Sequence, residues 1–145
     1  MTLLHRYVFF GLVILSCWGL VIRYIQLYVN VTHSMPYSFF IGLRHTNFSL
    51  KRGDYVAFVH PLYPNRNLIK RIEGIPGDSI QRQNQIVIIH GTPFPTRSKT
   101  PQQESVIPKG QYFVSGTHER SYDSRYDSFG LLHRSQIQGV VWPLF

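Results

Sequence analysis

"LIKRIEGIPGDSI", residues 68–80, is the stretch from which this chain is best read. Taken as a strand it alternates: Leu68, Lys70, Ile72 and Gly74 share one side, and Ile69, Arg71 and Glu73 share the other. The second side can hold an opposite-charge pair in water. The first is apolar and should be buried, yet it carries a lysine. Burying an ammonium is costly, and the usual escape is loss of its proton.

Around this segment, short apolar and aromatic runs alternate with turn signals: "GDYVAFVH", "QIVIIHG", "GQYFVSG" and the closing "SQIQGVVWPLF". Their punctuation by Gly-Asp and Pro-Gly predicts an all-β domain rather than βαβ units. Nothing after residue 30 has the pattern of a long amphipathic helix. Thr92 to Pro108, "TPFPTRSKTPQQESVIP", is Pro-rich and polar and reads as an exposed loop or extended excursion. At 145 residues and 43% apolar content there is material for one packed domain, and ten Phe with nine Tyr and two Trp favour strands.

The N-terminal stretch differs. Tyr7 to Ile22, "YVFFGLVILSCWGLVI", is free of charge between His5-Arg6 and Arg23. Sixteen residues fall short of the roughly 17–25 of a full span. Arg23 can snorkel, however, and "YIQLYV" continues the apolar surface with interfacial tyrosines. We read a membrane anchor. A cleavable signal peptide is the rival, without a small-x-small site to close it, and a buried core helix is the third option. The expected division is residues 1–29 for the anchor and juxtamembrane segment and 30–145 for the β domain. Fifteen Lys and Arg against seven Asp and Glu give a charge of +8. Such an excess suits nucleic acid or anionic lipid headgroups, and its spread along the chain weighs against nucleic acid. Cys17, the single cysteine, allows no internal disulfide and suggests no redox role.

Lys70 has a plain reading, a snorkelling or ion-paired residue at a sheet edge, and a chemical one. Desolvation can bring a lysine from about 10.4 toward neutrality, where it accepts a proton as a general base. Such a base needs a nucleophile. Ser34 in "VTHSMPYSFF" follows the apolar stretch closely, and Pro36 stiffens the backbone of Met35. Taken alone, Ser34 reads more simply as a turn residue, and Ser38 is a rival nucleophile. His33 adjoins Ser34 but points the other way in an extended segment, so it is a poor base for it. His45, His60, His90, His118 and His133 show no close metal-ligand spacing, and neither a metal nor another cofactor is expected.

In order and spacing, "SMP" after an apolar anchor, then "KRGDYVAF", "IKRIEGIPGDSI", and "IPKGQYFVSG" running into "SYDSRYDSFG" resemble the type I signal peptidases. "KRIEGIPGD" meets every fixed position of that family's Lys-Arg-x-x-Gly-x-Pro-Gly-Asp motif. The resemblance implies Ser34 as nucleophile and Lys70 as general base. It implies an oxyanion hole from the Thr32 hydroxyl and the Ser34 amide, with Ser121 orienting the lysine and Asp123 and Arg125 holding that part of the site together. The contiguous Ser34-Met35-Pro36, followed by Ser38 and Phe40, is similar to the conjugative-transfer (TraF-type) branch, which uses Ser-x-Pro-x-Gly-x-Tyr; Ser38 stands where that pattern has Gly, and Phe40 where it has Tyr. "GTHERSYDSR" likewise replaces the Gly-Asp-Asn start usual in the housekeeping branch.

The implied protein is a membrane-bound serine endopeptidase with a Ser/Lys dyad, in a signal-peptidase-like β domain behind one N-terminal transmembrane helix. The implied partners are membrane lipid and a precursor bearing a signal sequence, a pilin in the conjugative branch, where the product is linear or cyclic. By resemblance the domain faces the bacterial periplasm from the inner membrane. The alternatives are a general signal peptidase, a non-catalytic pilus-assembly module, and a nucleic-acid binder.

Overall fold

The structure, a computed structural model, describes residues 3–32, 34–44 and 49–145, with residues 98–101 by backbone alone. Strand makes up 49% of it, which sets the class as mostly β. Helix α1, Leu3–Tyr24, is followed by β1 (Ile25–Val29), β2 (Phe39–Arg44), β3 (Tyr55–His60), β4 (Tyr63–Gly74), β5 (Ser79–Ile89), β6 (Thr92–Val106), β7 (Gln111–Ser115), β8 (Leu132–His133) and β9 (Ile137–Pro143). All pairings are antiparallel. Seven strands form one sheet in the order β1-β2-β9-β3-β4-β7-β8, and β5 and β6 form a separate ribbon.

Helix α1 extends beyond the uncharged run at both ends. Its 22 residues span about 33 Å, enough for a bilayer core, and its best 18-residue window has a mean hydropathy of 1.8. None of its residues is buried, so it is not a core helix of this fold. It is a candidate span. Ile25–Val29, counted above with the juxtamembrane segment, is a strand paired with β2. Tyr24 is exposed as an interfacial residue would be, but Tyr28 is buried in the sheet with its hydroxyl on Gln26.

Residues 68–74 are the end of β4, in the interior of the sheet between β3 and β7. Leu68 and Ile72 pack with Val56, Phe58, Val114 and Leu132 in one core. The opposite face is not simply wet, as alternation suggested. Ile69 is buried in a second core with Tyr28, Met35, Phe40, Ala57 and Val141, because the loop before β2 folds over that side. Of these three only Arg71 is exposed, with Glu73 half-buried beside it.

Two turns of the same build meet at the C-terminal end of the strand, where Arg52 pairs with Asp78. In Lys51–Asp54 and in Ile75–Asp78 a glycine takes positive φ, +94° at Gly53 and +93° at Gly77. In each the aspartate side chain accepts the amide three residues back, and its own amide returns to that residue's carbonyl. Pro76-Gly77 is the sequence signature of a type II turn. Burial would raise the Asp78 carboxyl, but the Ile75 amide and the Arg52 guanidinium at 2.7 Å bring it below its usual range.

Thr92–Val106, read from sequence as a loop or excursion, is a fifteen-residue strand. Its prolines mislead because both strands of a two-stranded ribbon are edges, where a missing N–H facing outward breaks no ladder. Pro93 and Pro95 lie opposite Ile88 and Ile86. The ribbon turns at His90-Gly91, both at positive φ, as tight hairpins require. It packs onto the sheet through Ile80, Val87, Ile89, Ile107 and Phe113. Gly74 sits at this junction: an added Cβ would lie 2.5 Å from Ile107 Cδ1 and 3.0 Å from Phe113 Cβ. Gly74→Ala is therefore expected to destabilise the fold by about 1–3 kcal/mol in denaturant unfolding; an unchanged midpoint would show that the ribbon is not seated there.

Candidate active site

Three segments converge where β4 enters the core. Residues 30–38, between β1 and β2, carry Thr32 and Ser34. Strand β4 carries Lys70. The loop after β7, residues 116–125, carries Ser121, Asp123 and Arg125. Thr32, Ser34, Lys70 and Ser121 line one cleft of about 390 Å³, together with Tyr63, Arg66, Leu68, His118, Arg120 and Tyr122.

The first segment is held by Asn30, which no motif in the sequence marks. Its amide donates to the Met35 carbonyl at 3.2 Å and the Tyr37 carbonyl at 3.0 Å, and its backbone N–H donates to Ser38 O at 2.8 Å. Thr32 Oγ1 donates to Ser34 Oγ at 3.2 Å and also reaches Asn30 Oδ1 at 3.3 Å. Ser34 is 7% exposed. The rival Ser38 is solvent-exposed and does not line the cleft. Phe40 is fully buried, edge-on to Tyr37. His33 and His45 lie outside the described residues.

The Ser34 carbonyl ties this segment to the third one, accepting from Thr117 N at 2.9 Å and Thr117 Oγ1 at 3.3 Å. Gly116 allows that approach, since a Cβ there would meet Ser121 Oγ and would lie 2.7 Å from Ser34 O. Neither residue could be singled out from sequence, because both act through a contact more than eighty residues away in the chain.

Lys70 is 4% exposed, and its Nζ donates a short hydrogen bond to Ser121 Oγ. Burial pulls its pKa down to about 8; the Asp123 carboxylate opposes the shift and Arg125 adds to it. Asp123 is completely buried. One of its oxygens takes the Arg125 Nε at 2.8 Å; the other takes a terminal guanidinium nitrogen of Arg125 and the Gly116 amide, each at 2.8 Å. The same Arg125 nitrogen donates to the carbonyls of His118 at 2.9 Å and Ser121 at 3.2 Å. Burial alone would lower the Arg125 pKa, but its hydrogen bond to and the charge of Asp123 raise it overall. This buried pair folds residues 116–125 back on themselves and presents Ser121 to Lys70. From outside, Arg82 on the ribbon donates to the carbonyls of Ser124 and Arg125 and pairs with Asp127 at 3.1 Å.

Of the histidines the sequence offered, His60 is buried and stacked on Phe129, His90 forms the ribbon turn, and His118 lines the cleft with its Nδ1 accepting the Arg120 amide. Among the described residues, no three His, Cys, Asp or Glu side chains gather as metal ligands do.

A lysine whose pKa is lowered to about 8, a serine hydroxyl and a threonine hydroxyl on one water-accessible cleft suit acyl transfer. A family model described as signal peptidase, peptidase S26, matches residues 3–145. The chain belongs to this family. Peptidase S26 is a family of serine proteases. Among its relatives, mitochondrial inner membrane protease subunit 2 of Mus musculus is 31% identical over 104 residues, covering 67% of this chain and 49% of the relative. Signal peptidase IB of Staphylococcus aureus (strain N315) is 31% identical over 124 residues, covering 65% of this chain and 62% of the relative. The chain thus spans half to three fifths of the length of these curated relatives. A crystal structure of a signal peptidase I from Enterococcus faecalis V583 aligns with a TM-score of 0.47 and 25% identity, over 66% of this chain and 98% of that one.

Two expectations follow for this peptidase S26 member. Gly116→Ala should push Ser34 and Ser121 apart and lower the unfolding midpoint while the far-UV circular dichroism spectrum stays native. Lys70 has a folded pKa of about 8 against an ordinary 10.5, so folding below pH 8 bears the cost of a buried charge. That cost fades as pH rises from about 8 to 10.5. Lys70→Met should therefore stabilise the protein by about 3 kcal/mol at pH 7, shrinking toward zero near pH 10.5, in paired unfolding curves.

Proposed function

We propose that the protein is a membrane-bound serine endopeptidase that removes signal sequences with a Ser34/Lys70 dyad. The observation that carries this reading is a buried lysine, held by Ser121 and lowered to about 8, on the same cleft as Ser34. Near pH 8 about half of such a group is the free amine. With one N–H on Ser121, the lone pair of the neutral amine is available to Ser34. Lys70 takes the proton of Ser34 as Oγ attacks the scissile carbonyl. The oxyanion is met by the Ser34 N–H and by the Thr32 hydroxyl, which turns from Oγ as that atom is acylated. The Lys70 ammonium then protonates the leaving amine, and Lys70, neutral again, activates the water that cleaves the ester. Arg125 and Asp123 act at one remove, by shaping the loop that carries Ser121.

The substrate binds extended. A second cavity of about 480 Å³ adjoins the cleft, between β1 and residues 66–69 of β4. Strand β1 is the sheet's outer strand, and β7 pairs with β4 only from Arg71 onward. Two strand edges thus border the path to Ser34, and a peptide laid between them would use their open backbone groups.

Residues 1–29 serve as anchor and juxtamembrane segment, and 30–145 supply the rest of the catalytic domain, on the periplasmic side of a bacterial inner membrane. The contiguous Ser34-Met35-Pro36 favours a pilin precursor of conjugative transfer as substrate, with cyclisation where an amine of the pilin intercepts the acyl-enzyme. A general signal peptidase acting on many exported proteins is the second reading, favoured by the names of the curated relatives. A non-catalytic assembly module has no use for a buried lysine beside a serine.

Ser34→Ala and Lys70→Ala, each co-expressed with a pilin precursor and with an ordinary secretory precursor, are expected to lose processing by on the order of 10³-fold or more. Product mass separates a linear from a cyclised chain by one water. Processing that survives both substitutions would end the dyad reading; processing of the secretory precursor alone would select the general peptidase. For the purified protein, kcat/KM should rise with pH and level off above about 8, as the free amine fills.

A further inference from the structure

We propose that the cleft selects precursors with an acidic side chain within about three residues of the scissile bond, roughly 10 Å along an extended chain, and that Arg66 and Arg120 select it. The proposal rests on the peptidase reading above. Arg66, on the first half of β4, lines both the 390 Å³ cleft and the adjoining 480 Å³ cavity. A chain running from one to the other passes it. Arg120 precedes Ser121 and lines the cleft that holds Ser34 and Lys70. Both side chains are exposed.

An excess of eight positive charges leaves basic groups without carboxylates, so lacking a partner singles out no arginine. The placement does. All seven Asp and Glu side chains are engaged elsewhere: Asp54 with the Lys51 amide, Glu73 with Arg71, Asp78 with Arg52, Glu104 with Gln81, Glu119 with Arg97, Asp123 with Arg125 and Asp127 with Arg82. None lines either cavity. A path for peptide substrate thus carries two guanidinium groups and no lining acid, and a guanidinium presents the planar fork that a carboxylate matches. The same forks would meet lipid phosphate. Their position beside Ser34 and Lys70, rather than on α1, favours a group on the reacting chain.

The test uses the full-length protein in neutral detergent with a quenched-fluorescent signal-sequence peptide. Glu, Gln and Lys are placed in turn at each of the three positions on either side of the bond. The wild type is expected to cleave the Glu peptide about three- to tenfold faster in kcat/KM than the Gln peptide at one or more positions, with Lys slowest and the preference weakened by salt. The Glu-to-Gln ratio should fall toward one in Arg66→Gln and Arg120→Gln. It should invert, favouring Lys, in Arg66→Glu, a readout that loss of folding cannot mimic. Cleavage of all peptides without charge preference would overturn the proposal and leave the peptidase reading intact. Should the arginine variants change only binding to phosphatidylglycerol vesicles, with the ratio unmoved, the guanidinium groups serve the lipid surface and the proposal also falls. If the wild type cleaves nothing and matches Ser34→Ala, the peptidase reading itself is at fault.

Discussion

The chemistry open to this cleft turns on the burial of one amine-bearing side chain, which the fold tolerates at a cost in stability. Lys70 lies in an interior strand, between Leu68 and Ile72, 4% exposed where the core meets the cleft. Desolvation works against its charge more strongly than the buried Asp123 works for it, and the balance falls near neutrality. Were Asp123 free, its negative charge would hold the lysine protonated more effectively. Arg125 shares that charge, so the same ion pair shapes the loop and tempers the field at Lys70. In this arrangement a lysine can act as a base without a histidine or a metal.

Ser34 and Lys70 come from segments that share no local structure, and their placement on one cleft is arranged largely through backbone groups. Asn30 holds the 30–38 segment through three hydrogen bonds, and Thr117 takes the Ser34 carbonyl twice. Gly116 gives up its side chain so that Ser34 and Ser121 can stand on either side of it. Arg82 reaches across from the ribbon to the carbonyls of residues 124 and 125, so the ribbon braces the loop that positions the lysine. The paired turns at Gly53 and Gly77 together fix the C-terminal end of the strand that carries Lys70. Residues far from the chemistry therefore set its geometry.

How much of this was legible in the sequence depended on distance along the chain. The period of two from Leu68 to Gly74 was enough to place Lys70 on a buried face, because neighbouring side chains decide it. The same rule misjudged Ile69, whose burial comes from a second core built by Tyr28, Met35 and Phe40. Prolines hid β6, since a two-stranded ribbon tolerates what an interior strand does not. Ser121, Asp123 and Arg125 came from motif resemblance; nothing in "SYDSR" by itself says that it lies against residue 70. Asn30, Gly116 and Thr117 left no pattern at all, because each matters only after the chain has closed.

Lys70 can serve as a base only if a sizeable fraction of it is free amine near pH 8, and direct titration of its Nζ by nitrogen-15 NMR measures that fraction. The chain has only four lysines, Lys51, Lys70, Lys99 and Lys109, so loss of one resonance in Lys70→Ala assigns the signal. The structure predicts that this signal titrates near 8. A Lys70 signal titrating at the ordinary value of about 10.4 would contradict it, and Ser34 would then need another base.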